Sequence, residues 1–272
     1  MAIYHLTMKT GSKNKGQSGR AKSDYICREG KFKNDCEELL STIDLNLPSW
    51  AQSGSHFWSR ADEFERANAR IFRELEFALP IEMNQSQHYD LVSDFVGKII
   101  GSDFPTTIAI HKGGVERTNP HAHVIFSERQ NDGLDRTPEN YFKRANTKNP
   151  SLGGAKKTRK FIPKETLYEV RKIWADCVNE HLCEIGVSQR VDHRSFEERG
   201  IHDRLPQIHL GPHSLAALER GVLTTRFKKY QDIEIASDRI SSMCCELRGI
   251  EDELKKEKLK IVRNRTLSGP SR

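Results

Sequence analysis

Three histidines have the spacing of a shared site. In HAHVIF (121–126), His121 and His123 stand one residue apart on a segment that alternates as a strand does, so they share a face with Ile125. TTIAIH (106–111) reads as the preceding strand and ends in His111, on the side of Ala109 and Thr107. If KGGVERTNP closes a hairpin between the two, a register that sets His111 opposite His121 also sets His123 opposite Ala109. Three imidazoles then gather at one end of one sheet face. That is a metal-site geometry with positions left open for water or substrate, and it fits zinc, manganese, cobalt or nickel.

Two carboxylates stand near this chemistry. Glu74 and Glu76 share one face of ELEFALP by the same alternation, and they either orient a histidine, take a proton, or are simply exposed. His5 sits in a strand whose register to the cluster is not set, and it is taken as structural. So are His193, His209 and His213, which no spacing argument brings together.

The charge is concentrated. Residues 9–33 hold eight basic side chains against Asp24 and Glu29, and residues 141–164 hold eight more with no acid. The whole chain is only +6, so everything outside the two stretches is net acidic. Two basic loops on an acidic body fit a polyanion partner, or are merely solvated. An open metal beside such charge suggests phosphodiester chemistry. Tyr25, in KSDYICR, has Lys22 and Arg28 three residues to either side, which a helix places on its face, and nearby cations favour a phenolate. By residue type alone Tyr25 does not stand out from the other five tyrosines.

The elements that must position these groups follow from periodicity. Residues 2–8 read as a strand followed by a flexible basic loop, and Ser18 or Ser23 caps a short helix running through Tyr25 to Gly30. A helix from Gly54 to about Ala69 puts Phe57, Trp58, Ala61 and Phe64 on one side and leads into the strand ELEFALP. NQSQHYDLVSDFVGKII (84–100) is amphipathic with Asn84 or Ser86 as its cap, and a longer helix runs from 164 to Gly186. Strands interrupted by helices but joined by one hairpin predict an α+β sandwich with helices packed on an antiparallel sheet. From 233 to 261, heptad spacing predicts a long helix that either forms a coiled-coil seam or folds back on the body. The expected division is a main domain over 1–228 and a helical extension over 229–272.

Composition agrees with one medium core: 272 residues, 36% hydrophobic. No run approaches a membrane span, and the start lacks a signal-like apolar stretch. Six cysteines without a C-x-x-C pair predict free thiols in a reducing compartment.

An ordered series of motifs, MAIYHLTMKT, QSGRAKSDYICREGK, ELEFALP, AIHKGGVERTNPHAHVIFSER, VDHRSFEERG and IHLGP, resembles the MobA/MobL family of plasmid mobilisation relaxases over about residues 1–215, nearest to its IncQ-type branch. The His-x-His strand looks like the histidine motif of the HUH single-strand endonucleases. The resemblance implies a central five-stranded antiparallel sheet with flanking helices and a bacterial cytoplasmic setting. It implies that Tyr25 attacks the scissile phosphate at a transfer origin, leaving a 5′-phosphotyrosine that later rejoins the strand. His111, His121 and His123 match the metal ligands, for a divalent ion with manganese or magnesium foremost. Glu76 matches an acidic residue that acts as base or orients the site, and Glu74 is a looser match. Only one nucleophilic tyrosine is apparent, where some relaxases carry a close pair.

The basic stretches then become a DNA surface carried by Lys22, Arg28, Lys143, Arg144, Lys156, Lys157, Arg159 and Lys160, with Tyr141, Phe142 and Phe161 either stacking on bases or anchoring the core. Single-stranded or locally melted origin DNA, accessory mobilisation proteins and a coupling protein are the implied partners. Longer members carry a further domain such as a primase, so the chain is expected to be a separate module or a fragment. Two other readings fit parts of the pattern: a three-histidine zinc hydrolase using bound water, and a non-enzymatic DNA-binding protein with a structural metal.

Overall fold

The computed structural model describes residues 4–113, 119–208 and 210–267. The middle of KGGVERTNP, the start of the expected first strand, His209 and the tail after Leu267 lie outside the described residues. In chain order the elements are β1 (Leu6–Ser12), α1 (Gly19–Ile26), β2 (Leu39–Leu45), α2 (Gly54–Phe64), β3 (Arg70–Ala78), α3 (Gln85–Ile99), β4 (Thr106–His111), β5 (His121–Phe126), α4 (Pro138–Tyr141), α5 (Lys164–Glu184), α6 (Gly211–Glu219) and α7 (Thr225–Leu267). Contacts divide them into two compact units, Met1–His193 and Arg194–Arg272.

In the first unit five strands form one antiparallel sheet in the order β1-β3-β5-β4-β2. Alternation gives the sheet two different faces. Leu75, Phe77, Ile108, Ile110, Ala122 and Val124 point to one side, where α3 and α5 cover them with Phe95, Val96, Trp174 and Val178. On the other side Ala109 and Ile125 meet Ile26 of α1, Phe57, Trp58 and Ala61 of α2, and Tyr141 and Phe142. This second face also carries the histidines, because His111, His121 and His123 share parity with Ala109 and Ile125.

The helices start where their caps stand. Ser18 accepts from the Ala21 amide at 2.9 Å, and Asn84 forms a capping box with Gln87. Asp62 of α2 grips the start of α1 through Ser18 Oγ (2.6 Å) and the amides of Gly19 (2.7 Å) and Arg20 (2.9 Å). That bond set fixes the helix bearing Tyr25 against the helix behind it. α2 ends at Phe64, earlier than its periodicity suggests, because Glu65 turns into the core to meet Arg129.

β2 is a strand that periodicity misses. LLSTIDL has no clean alternation of apolar and polar residues, and as an edge strand it buries little. Its hydrogen bonds to β4 and the Asp44 carboxylate, which accepts from Gly54 N (2.6 Å) and Thr107 Oγ1 (2.7 Å), hold it in place.

Past β5, Arg129 acts as a clip. Its guanidinium grips Glu65 at 2.8 and 3.0 Å and donates to the carbonyls of Phe142 (2.5 Å), Lys143 (3.0 Å) and Ala155 (2.6 Å). The basic stretch is thereby tied to the sheet. Tyr141, Phe142 and Phe161 are all buried, so of their two expected roles they take that of core anchors.

In the second unit α7 runs well beyond 233–261 in both directions, with Met243, Leu247, Ile250 and Leu254 exposed along it. No helix among the described residues is long and apolar enough to cross a membrane. The described cysteines, Cys27, Cys177, Cys183, Cys244 and Cys245, are free thiols.

Removing Arg129 leaves Glu65 to Lys157 alone and takes the donor from the Phe142, Lys143 and Ala155 carbonyls, at about 1–3 kcal/mol for a buried group left unsatisfied. Arg129→Met is therefore expected to lower unfolding free energy by about 3 kcal/mol in urea titrations. A loss below about 1 kcal/mol would show that the clip holds little.

Candidate active site

The hairpin register matches the one read from parity: His111 pairs with His121, and Ala109 with His123. β3 completes the row, with Glu76 opposite His123, Ala78 opposite His121 and Glu74 opposite Ile125. Gly113 makes the tight exit from β4, with φ 70° and a position where a Cβ would lie 2.1 Å from the Asn119 carbonyl oxygen. Ala109, the smallest neighbour, leaves room for the rings.

The three imidazoles form a near-equilateral triangle, with ring centres 5.1 Å (His111–His121), 5.2 Å (His121–His123) and 5.4 Å (His111–His123) apart. An ion about 2.1 Å from a ring nitrogen lies about 3.2 Å from that ring's centre, and a tetrahedral spread then sets centres about 5.2 Å apart. The triangle fits that spacing. The hydrogen bonds fit as well. His123 Nδ1 lies 2.9 Å from Glu74 Oε1 and His121 Nδ1 lies 2.9 Å from the Asn119 carbonyl. Both oxygens are acceptors, so each Nδ1 carries the proton and each Nε2 keeps its lone pair for a ligand.

His111 is 1% exposed and neither of its ring nitrogens has a hydrogen-bond partner. Burial first, then the His121, His123 and Arg28 charges, push its pKa down to about 3; the nearby Ile26 backbone, outside hydrogen-bonding geometry, opposes this. A neutral imidazole with an unpartnered N–H and an unpartnered lone pair is costly to bury unless a cation takes the lone pair. The donor set therefore fits a divalent metal. Glu74, Glu76 and His123 also bring one ligand atom each within 4.8 Å of one another, so carboxylate oxygens stand beside the imidazoles.

Both carboxylates are matched by lysines that spacing did not single out in this role. Lys22 Nζ lies 2.7 Å from Glu74, and Lys9 Nζ lies 2.5 Å from Glu76. Burial raises the Glu74 pKa, but the His123 hydrogen bond and Lys22 outweigh it and hold the group below its ordinary value. Burial likewise raises Glu76 less than Lys9 and His123 lower it. Carboxylates so held are weak proton acceptors and strong orienters of cations. Lys9 is found only in the fold: its sole sequence signal is shared parity with β3, and that needs the strand order.

Tyr25 is 41% exposed on α1, its ring flanked by Lys22 Nζ at 5.2 Å and the Arg28 guanidinium at 5.0 Å, with Phe32 edge-on at 5.3 Å. The expected flanking by two cations is present, but by a different route. The helix ends at Ile26, and Arg28 reaches back from a positive φ of 53°, donating to the Tyr25 carbonyl at 2.8 Å. The next residue, Ile26, is fully buried against Ala109 and Ile125, which seats α1 on the histidine face. Contacts thus run from Tyr25 through Lys22 and Glu74 to His123.

The second basic stretch divides. Arg144, Lys156 and Arg159 are exposed and make no ion pair among the described residues. Lys143 pairs with Glu139 at 3.1 Å and Lys160 donates to the Ile99 carbonyl at 3.2 Å. Lys157 is drawn inward to Glu65 at 2.8 Å and to the Arg70 carbonyl, and burial lowers its pKa. Of the other histidines, His193 packs on Tyr168 with ring centres 4.9 Å apart and His213 is exposed.

A histidine triangle and the helix bearing Tyr25 thus share one face of a five-stranded antiparallel sheet. The chain belongs to the MobA/MobL family, whose model matches residues 8–220. It is 43% identical to Mobilization protein A of Escherichia coli over all of this chain and 38% of that protein. It is 44% identical to the 43 kDa relaxation protein of Salmonella typhimurium over 74% of this chain and 56% of that protein. The chain thus spans under two thirds of the length of either relative. A structure solved for the molecular basis of vancomycin resistance transfer in Staphylococcus aureus superposes with a TM-score of 0.56 at 28% identity, over 71% of this chain and all of that one.

The His111 shift sets a pH dependence for the metal-free protein. The unfolded ring binds a proton at about pH 6.5 and the folded one only near 3, so stability falls as pH drops through that window and returns as pH rises. In chelator, the urea midpoint of the wild type should fall between those pH values, and His111→Leu should flatten the fall. An unchanged profile in the variant would contradict the assignment.

Proposed function

We propose that this chain nicks one DNA strand at a plasmid transfer origin and rejoins it, with Tyr25 as nucleophile. The observation that carries the reading is the seating of the Tyr25 helix on the sheet face that holds His111, His121 and His123. Relatives named for mobilisation, relaxation and conjugal transfer support it.

Tyr25 Oη attacks the scissile phosphorus, forming an O–P bond as the bond to the 3′-oxygen breaks, and the phenolic proton is balanced by one taken up at the departing 3′-hydroxyl. Lys22 and Arg28, whose charges flank the Tyr25 ring, stand where they can offset the negative charge of the incoming phosphate. Glu74 holds His123 with Nε2 inward, and Glu76, tied to Lys9, keeps a second negative group beside the imidazoles. A divalent ion held by His111, His121 and His123 would supply positive charge to the non-bridging phosphate oxygens. Imidazole donors suit a first-row transition ion such as manganese better than magnesium, which prefers oxygen. One ester replaces another of similar energy, so the 3′-hydroxyl can attack the phosphotyrosine and restore the strand. Arg144, Lys156 and Arg159 guide the backbone of single-stranded or locally melted DNA. Accessory mobilisation proteins, a coupling protein and a cytoplasmic setting belong to the same reading.

Incubation with a single-stranded origin oligonucleotide and Mn2+, followed by a denaturing protein gel, tests this. The wild type should give a covalently shifted band that chelator abolishes. Tyr25→Phe should bind the oligonucleotide yet form less than about 0.1% of the adduct. Cleavage without adduct that survives Tyr25→Phe would instead mark a metal-water hydrolase, and binding without cleavage a structural metal.

A further inference from the structure

Beyond β5 the chain builds a cavity of about 500 Å3, of whose lining the proposed mechanism uses only Lys156. Its walls include Leu134, Ala145 and Pro150, which are apolar, and Gln130, Asn146 and Thr147, which are polar, with Lys156 also lining it. The size is that of a small-ligand site of about 300–1,000 Å3.

The cavity is rigidly built. Arg136 pairs with Asp132 through two bonds of 2.6 and 2.7 Å and donates to the carbonyls of Gly153 (2.8 Å) and Pro150 (3.1 Å), which pins one wall. Glycines let the walls close on each other: a Cβ on Gly153 would lie 2.2 Å from the Asn146 amide, and one on Gly154 2.1 Å from the Lys143 carbonyl oxygen. Gln130 N donates to the Lys156 carbonyl at 2.9 Å, and the Arg129 clip holds the rest from below. A site so braced loses little freedom on binding.

Its polar groups are open. The Asn146 amide oxygen accepts from the backbone N–H groups of Lys148 (3.1 Å) and Asn149 (3.0 Å), which fixes the flip and leaves the Nδ2 hydrogens available. The Gln130 amide, half-buried, makes no side-chain hydrogen bond among the described residues, so it offers both a donor and an acceptor. Side-chain amides between apolar walls match the edge of an unpaired base, and an uncommitted lysine matches its phosphate. We infer that this cavity receives one unpaired base of the DNA strand and reads its edge through Gln130 and Asn146. The inference rests on the DNA reading proposed above and adds a specificity site to it.

The cavity lies off the far end of β5 from His121. Gln130 is nine residues along the chain from His121, at most about 30 Å away, so the base read here lies within several nucleotides of the scissile phosphate.

The test uses the full chain and a set of origin oligonucleotides, each with one abasic position, in fluorescence anisotropy. One position away from the nick should weaken wild-type binding about 10-fold. In Gln130→Leu, and in Ala145→Trp, which fills the cavity, that same abasic change should cost less than about 2-fold, while other positions keep their wild-type costs. Matching thermal unfolding shows each variant folded, and two variants guard against the loss of one. If every position costs the variants what it costs the wild type, the base pocket is wrong and the nicking function stands. If the wild type binds no origin strand at all, the DNA reading fails and takes the pocket with it.

Discussion

The hydrogen-bond register of three adjacent strands is the constraint on which this molecule depends. Ala78, His121 and His111 lie in one cross-strand row, and Glu76, His123 and Ala109 in the next. A slip of one residue in either pairing would turn the imidazoles toward the core under α3 and α5. The opposite face prevents it. Phe77, Ala122, Val124, Ile108 and Ile110 are buried there, and all of them would be expelled by the same slip. Apolar burial on one side of the sheet thus sets the imidazole triangle on the other.

A second constraint is charge balance. Glu74 and Glu76 are drawn to the imidazoles but are each neutralised by a lysine from an element on the same face, Lys22 of α1 and Lys9 of β1. The helix bearing Tyr25 is therefore coupled electrostatically to the histidine triangle through Lys22 and Glu74, as well as sterically through Ile26. Both lysines are thereby held on the histidine face by ion pairs to carboxylates rather than by solvent alone.

The basic stretch after β5 divides its labour along similar lines. Lys157 and Arg129 converge on Glu65 and serve the fold, whereas Arg144, Lys156 and Arg159 stay at the surface. The buried contacts of Arg129 and Lys157 make the surrounding loop stiff enough to hold a shaped cavity. β5 then joins two chemistries, imidazoles at its start and amides beyond its end.

The local pattern was sufficient for much of this. Period-two alternation put His121, His123 and Ile125 on one face, the caps Ser18 and Asn84 marked their helices, and the motif series pointed to the family, because strand parity and helix capping are decided by residues a few positions apart. Other features have no local signature, and most depend on partners far along the chain. The edge strand β2 is stabilised by β4 rather than by its own pattern. Arg28 meets Tyr25 from beyond the helix through a left-handed turn, and Glu65 ends α2 early because Arg129 is there to receive it. Which lysines stay at the surface and which brace the core was likewise settled only in three dimensions, since Lys157 and Lys156 are alike until burial tells them apart.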